Sequence, residues 1–348
     1  MDPKKIRNRL VDKNSPCFIV AEISANHGQR FDRAVELIKR AKEAGVDAVK
    51  FQTYRPDTLT INADNRYFRV KHPRWGGQTL YQLYSKAYTP WSWFRKLKET
   101  ADKVGIGFFS TAFDKTAVDF LEEIGVLVHK ISSFELVDIS LIEYAAKTKK
   151  PLILSTGMST LSEIKEAVGA ARNAGAKDII LLKCISSYPA KPEEMNLRTI
   201  SDLIKRFGCP VGLSDHTLGI GASVAAISLG ANMIEKHFTL SRKIKTPDSF
   251  FSIEPNELRD LVDNIRVAEK STGVVRYGLT TEEEKTRIFR RSLFVVEDVK
   301  KGEIFTENNI RSIRPFNGIK PKYLAGIIGK KAKKDARRGS PLSWDMIG

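Results

Sequence analysis

The chain has 348 residues, 42% hydrophobic and 28% charged, which is enough for one large domain and a small one. No apolar run approaches the roughly 20 residues of a membrane-crossing helix. Residues 1–7 lead into polar Asn8-Arg9 rather than a signal-peptide core, and three scattered cysteines (Cys17, Cys184, Cys209) suit neither a disulfide framework nor a zinc knuckle, so a reducing cytoplasm is expected. The formal charge of +17 suggests nucleic acid, but 285–348 holds 16 Lys+Arg against 6 Asp+Glu, a net of +10, with no nucleic-acid motif and no aromatics interleaved for stacking. A small phosphorylated or carboxylated substrate uses the same electrostatics with fewer charges.

Apolar runs near 17–23, 46–51, 106–110, 126–131, 151–154, 178–183, 210–213 and 232–236 predict eight strands. Helical patterns alternate with them at 31–44, 91–104, 115–123, 139–147, 161–174, 198–207, 220–229 and 255–270, most closing on a Gly- or Pro-containing turn such as Ala44-Gly45. Eight strand–helix units in about 255 residues match a (β/α)₈ TIM barrel. A doubly wound open sheet has no reason to give eight. The connection 53–89 is long and rich in aromatics and glycine (Trp75-Gly76-Gly77-Gln78, Tyr81, Tyr84, Tyr88), as a lid or substrate-facing loop would be. After about residue 275 the rhythm changes to a charged helix start at 280–285. Short strands and turns follow, at 292–296, 300–303, 305–310, 313–315 and 317–318. The expected organisation is a barrel domain 1–275, a linker 276–290 and a small C-terminal β-rich domain 291–348.

In a barrel, catalytic groups belong at the carboxyl ends of the strands. Each run ends in polar or ionisable residues: Glu22, Lys50-Phe-Gln52, Ser110-Thr111, Lys130-Ile-Ser-Ser133-Phe-Glu135, Ser155-Thr-Gly157, Cys184-Ile-Ser186-Ser-Tyr188, Ser214-Asp-His216 and Glu235-Lys-His237. Some are helix caps. Three lysines and two glutamates leaving apolar strands are harder to explain so, because unpaired burial is costly. Lys50 and Lys130 with Thr111, Ser133, Ser155, Ser186 and Ser214 make a ring of cations and hydroxyls suited to phosphate and carboxylate. A barrel lysine could instead form a Schiff base, as in aldolases, but two among so many hydroxyls fit an anion better. His216 and His237, at neighbouring strand ends, suit a divalent cation such as Mn²⁺ or Mg²⁺, with Glu22 or Glu235 as oxygen ligands.

Glu-Ile-Ser-Ala-Asn-His-Gly (22–28), Lys-Phe-Gln-Thr-Tyr (50–54), Lys-Ile-Ser-Ser-Phe-Glu (130–135), Leu-Ser-Thr-Gly-Met (154–158), Gly-Leu-Ser-Asp-His-Thr (212–217) and Glu-Lys-His-Phe-Thr (235–239) resemble the sialic acid synthase family. Arg291-Ser-Leu and Ile313-Arg-Pro-Phe-Asn-Gly318 resemble its C-terminal antifreeze-like (SAF) domain. Members condense phosphoenolpyruvate with an amino-sugar aldehyde. Within the family, Trp75-Gly-Gly-Gln-Thr-Leu-Tyr81 and Ala87-Tyr-Thr-Pro-Trp91 resemble the branch that makes pseudaminic acid. The implied acceptor is 2,4-diacetamido-2,4,6-trideoxy-β-L-altropyranose, and the implied assembly is a domain-swapped homodimer in which Arg314 reaches the partner's barrel. Ser186 stands where neuraminate synthases carry Asn, Ala112 replaces a common Pro, and Lys243-Ile-Lys-Thr-Pro-Asp248 replaces a Gly-Pro-Asp turn.

The resemblance makes Lys50, Thr111, Lys130, Ser133, Ser155, Ser186 and Ser214 the expected phosphoenolpyruvate ligands, with His216 and His237 on the metal. Glu135 is the expected base for the attacking water, and Glu22 orients the acceptor or a metal-bound water. Gln52, Asn65, Tyr188 and Asp248 are expected to touch the sugar. His27 is expected to pack locally, and His72 and His129 to be structural or exposed. The competing functions are the same reaction on another acceptor, giving N-acetylneuraminic or legionaminic acid; a Schiff-base aldolase; and a non-catalytic polyanion- or ice-binding protein.

Overall fold

The computed structural model describes residues 8, 9, 12 and 15–348. The chain divides into two compact units, with the break between Gly273 and Val274. In the first, β1 (Phe18–Glu22), β2 (Ala48–Thr53), β3 (Gly107–Ala112), β4 (His129–Ile131), β5 (Leu152–Ser155), β6 (Ile179–Cys184), β7 (Val211–Asp215) and β8 (Met233–His237) pair in chain order. Every pairing is parallel and β8 closes on β1, so the eight expected runs form a TIM barrel.

These strands are buried on both faces, which is why they read as continuous apolar runs. Alternate residues point inward. Phe18, Val20, Phe109, Val128, Ile153, Leu182 and Met233 plug the barrel interior, while Ile19, Ala21, Val49, Phe51, Leu154 and Leu213 pack outward against the helices. The helix Phe31–Ala44 answers them with Ala34, Leu37, Ile38, Ala41 and Ala44, the spacing of one helical face. Each Leu or Ile so buried contributes roughly 1.5–3 kcal/mol. Gly212 takes an inward position on β7, where a Cβ would lie 2.3 Å from the Met233 carbonyl oxygen. Only glycine lets β7 approach β8 that closely, and these two strands carry His216 and His237.

Carried to the strand ends, the same alternation puts Glu22, Lys50, Thr111, Lys130, Ser155, Cys184, Ser214, Glu235 and His237 inside. It also separates the three strand-end lysines. Lys236 points outward, away from Lys50 and Lys130: its Nζ lies 2.8 Å from Asp215 Oδ2 and 2.6 Å from the Thr217 carbonyl. Asp215 also accepts from Ser223 Oγ, on the helix Gly221–Ser228, so this buried pair ties β7 and β8 to a helix.

The 53–89 connection is not one loop. It contains the helices Pro56–Leu59 and Leu80–Ala87, the second opened by a capping box: Thr79 Oγ1 accepts from Gln82 N, and Gln82 Oε1 accepts from Thr79 N. In the second unit, the helix Thr281–Thr286 precedes an antiparallel pair, β9 (Ser292–Val295) and β10 (Ile310–Ile313), around Leu293, Val295, Phe305 and Ile310. The other short strands expected there are turns and isolated bridges, such as Val299 with Ala336 and Ile304 with Lys331. Turns recur there too often for longer ladders to form. Among the described residues no helix is long and apolar enough to cross a membrane.

Candidate active site

The inward strand-end residues form a buried layer of charge. Lys50 Nζ lies 2.7 Å from Glu22 Oε2 and donates to Thr111 Oγ1 at 2.9 Å. Glu235 Oε1 sits 3.5 Å from both Lys50 Nζ and Lys130 Nζ and accepts from Ser214 Oγ at 3.2 Å. Gln52 Nε2 donates to Glu22 Oε1 at 3.1 Å. Two ammoniums thus face two carboxylates, and their environments differ. Burial opposes the charge on Lys50, but Glu22 and Glu235 outweigh it and raise its pKa. Burial dominates at Lys130; Glu235 only partly offsets it, and Lys50 adds to it, so its pKa falls. Burial also pushes Glu22 up to about 7, against the pull of Lys50.

A cavity of about 470 Å³ is lined at the strand ends by Ser24, Gln52, Ser133, Glu135, Ser186, Tyr188, His237 and Asp248. Ser133 Oγ and Ser186 Oγ are 2.8 Å apart. They meet because Gly157 has no side chain: its φ is +37°, and a Cβ there would lie 2.3 Å from Ser133 Cβ. Ser132 Oγ donates to the Glu135 carboxylate, and burial raises the Glu135 pKa. Asp248 Oδ2 accepts from Ser24 Oγ at 2.5 Å and stands 3.8 Å from His237 Nδ1.

The two imidazoles lie 5.4 Å apart, centroid to centroid. His216 Nδ1 is 2.7 Å from the Ile185 carbonyl oxygen. That contact places the proton on Nδ1 and makes Nε2, which lies 3.4 Å from Ser214 Oγ, the nitrogen that would bind a cation. His237 Nδ1 is buried without a hydrogen-bond partner. Burial lowers both histidine pKa values, so both rings are neutral, the form that ligates. Two neutral ring nitrogens suit a divalent cation, whose other positions water or substrate would have to fill. Among the described residues no group of three or more His, Cys, Asp or Glu side chains is placed to hold a metal ion.

Residues 37–277 match the NeuB family model and 290–348 the SAF domain. The chain belongs to the NeuB family. It is 44% identical to the pseudaminic acid synthase of Helicobacter pylori, over 95% of this chain and 98% of that one. It is 36% identical to the N,N'-diacetyllegionaminic acid synthase of Legionella pneumophila, over 95% and 94%. Among solved structures it resembles the N-acetylneuraminic acid synthetase of Leptospira borgpetersenii, determined in complex with citrate, with a TM-score of 0.70 and 34% identity over 78% of this chain and 90% of that one. The resemblance to the sialic acid synthases is thus borne out, and the chain is an enzyme of that synthase family.

In this NeuB-family barrel the sequence-predicted residues fall on two levels. Lys50, Thr111, Lys130, Ser155 and Ser214 are in the buried layer, while Gln52, Ser133, Glu135, Ser186, Tyr188, His237 and Asp248 line the cavity. Glu22 joins the levels through Gln52. The Tyr188 ring lies 4.4 Å from His216. Asn65 is exposed, accepts from Tyr67 N and is not among the lining residues. Arg314 belongs to the second unit, 5.9 Å from the Phe289 ring centroid.

His27 accepts locally from Gln29 N at 3.1 Å, as expected, and also lies 3.0 Å from the distant Thr89 Oγ1, while His129 is buried against Glu122. His72 departs from its expectation: it lines the cavity, stacked on Trp75 at 4.3 Å. Also missed were Tyr54, Leu80, Leu83, Tyr84, Ala87 and Phe113. The capping box Thr79-x-x-Gln82 followed by Leu80, Leu83, Tyr84 and Ala87 at helical spacing would have revealed four of them.

Proposed function

We propose that this chain condenses phosphoenolpyruvate with 2,4-diacetamido-2,4,6-trideoxy-β-L-altropyranose and water to give pseudaminic acid and phosphate. The observation that carries this reading is a buried Lys50–Glu22–Glu235–Lys130 layer, joined through Gln52 to a sugar-sized cavity, in a chain 44% identical to a pseudaminic acid synthase along nearly its whole length. Lys130 lacks a counter-charge of its own, because Glu235 is shared with Lys50. An incoming phosphate or carboxylate supplies it, with Ser133, Ser155, Ser186, Ser214 and Thr111 as donors.

C3 of the enol attacks the aldehyde carbon of the open-chain acceptor. Water then adds at C2, and the C2–O bond breaks to release phosphate. Glu135, with its pKa raised by burial, takes the proton from that water. Gln52, Tyr188 and Asp248 orient the acceptor. A divalent cation (Mn²⁺, Mg²⁺ or similar) held by His216 and His237 would supply Lewis-acid polarisation of the aldehyde oxygen.

We also assign 1–275 to the synthase domain, 276–290 to a linker and 291–348 to the SAF domain. The working assembly on this reading is a cytoplasmic, domain-swapped homodimer, with Arg314 completing the partner's site. The break after Gly273 and the family match from residue 290 support these limits. Incubating the purified chain with phosphoenolpyruvate and each candidate sugar separately, then weighing the acid formed, tests the reaction. Acid is expected from the trideoxy altropyranose. Turnover of only N-acetylmannosamine or the legionaminate precursor overturns the acceptor, and no acid from any sugar overturns the synthase reading.

A further inference from the structure

The cavity is divided by chemistry. Its polar lining comes from strand ends and the loops that follow them: Gln52, Ser133, Glu135, Ser186, His237 and Asp248. Its apolar lining comes largely from the 53–89 connection, as Leu59, Val70, Leu80, Leu83 and Ala87, beside Tyr54, His72, Trp75 and Tyr84 of the same segment; Phe113, Ala25, Phe134 and Pro247 come from elsewhere. Leu80, Leu83 and Ala87 share one face of the helix Leu80–Ala87. The wall is braced by aromatic residues that themselves line the cavity. Tyr54 packs edge-on against Tyr84 at 5.7 Å and Phe113 at 5.2 Å. Trp75 Nε1 donates to the Pro247 carbonyl at 2.8 Å, joining the connection to the segment that carries Asp248.

The reacting aldehyde carbon belongs at the polar lining, beside the anion layer. The rest of the acceptor is then directed at the apolar wall. We propose that this wall selects the acceptor: Leu59, Val70, Leu80, Leu83, Ala87 and Phe113 receive the methyl groups of a 6-deoxy, N-acetylated sugar and reject a hexosamine with hydroxyls at those carbons. The selection rests on the synthase reading above. A hydroxyl pressed against these side chains gives up its water without gaining a partner. An apolar site of this kind discriminates by roughly tenfold to a hundredfold.

The test measures kcat/KM of the full chain with phosphoenolpyruvate and either the 2,4-diacetamido-2,4,6-trideoxy acceptor or its analogue bearing a C6 hydroxyl. The deoxy sugar should be favoured roughly tenfold to a hundredfold. In Leu59→Asn and Val70→Thr, both at half-buried positions, the preference should shrink several-fold while the KM for phosphoenolpyruvate holds. Equal use of both sugars by the unmodified enzyme overturns the proposal while leaving the synthase reading intact. So does a parallel loss on both sugars in variants whose circular dichroism melt is unchanged. Should a variant fail to fold, the comparison on the unmodified enzyme still decides. If neither sugar is turned over, the synthase reading falls first and the selection with it.

Discussion

Lys236 and Lys50 both leave apolar strands near the same end of the barrel, and one residue of register separates their fates. Lys50 points in and pairs with Glu22; Lys236 points out and pairs with Asp215. Removing one partner of a buried pair strands the other charge, so Lys236→Met should destabilise the fold by about 3–5 kcal/mol in urea unfolding. Arg206→Ala, which breaks a half-exposed pair with Asp202, should leave the urea midpoint almost unchanged. At Glu135 the expectation is catalytic. A base is competent only when deprotonated, and burial raises this carboxyl, so kcat should fall on acidification above the ordinary carboxylate range. Glu135→Gln should lower kcat roughly 10²–10⁴-fold with little change in either KM, and flatten that acidic limb. A pH–rate profile that keeps its acidic limb in the variant would remove Glu135 from the role. Residue types at strand ends were legible because ionisable groups are rare in buried strands. Their facing was not, since strands covered on both faces carry no apolar–polar alternation to tell inside from outside.

Element by element, the barrel was nearly all readable. Its strands are apolar because both faces are covered, and its helices carry a clear 3.6-residue stripe, as Ala34, Leu37, Ile38 and Ala41 do. The 53–89 connection was read as functional, but its helices were not seen. Leu80–Ala87 is only eight residues long, so its signal lay in the Thr79–Gln82 cap rather than in periodicity. That element forms most of one cavity wall, and Trp75 fastens it through Pro247. Trp75→Phe keeps the ring against His72 and Tyr188 but removes the Nε1 donor. The acceptor KM should rise several-fold while that for phosphoenolpyruvate stays fixed, because the anion layer belongs to the strands. An equal rise in both would mean the strap supports the barrel mouth as a whole.

On the scale of the whole molecule, the proposed domain swap turns on the second unit. It spans Val274–Gly348. It exposes large apolar side chains: Val275 at 90%, Tyr277 at 93%, Phe289 at 59% and Trp344 at 56%. Apolar side chains of this kind are what a partner subunit would cover on the dimer reading proposed above. In a domain-swapped homodimer each site draws His237 from one protomer and Arg314 from the other. His237→Ala and Arg314→Ala should then each be inactive alone. Mixed in equal amounts and allowed to exchange subunits, half the dimers are heterodimers, and each of these contains one site with both native residues. Activity should return to about a quarter of the unmodified level, the statistical share for a two-fold assembly. If each site is built from a single chain, every heterodimer site lacks one residue and no activity returns. Native mass spectrometry of the mixture, establishing that exchange took place, makes that null result decisive against the swap.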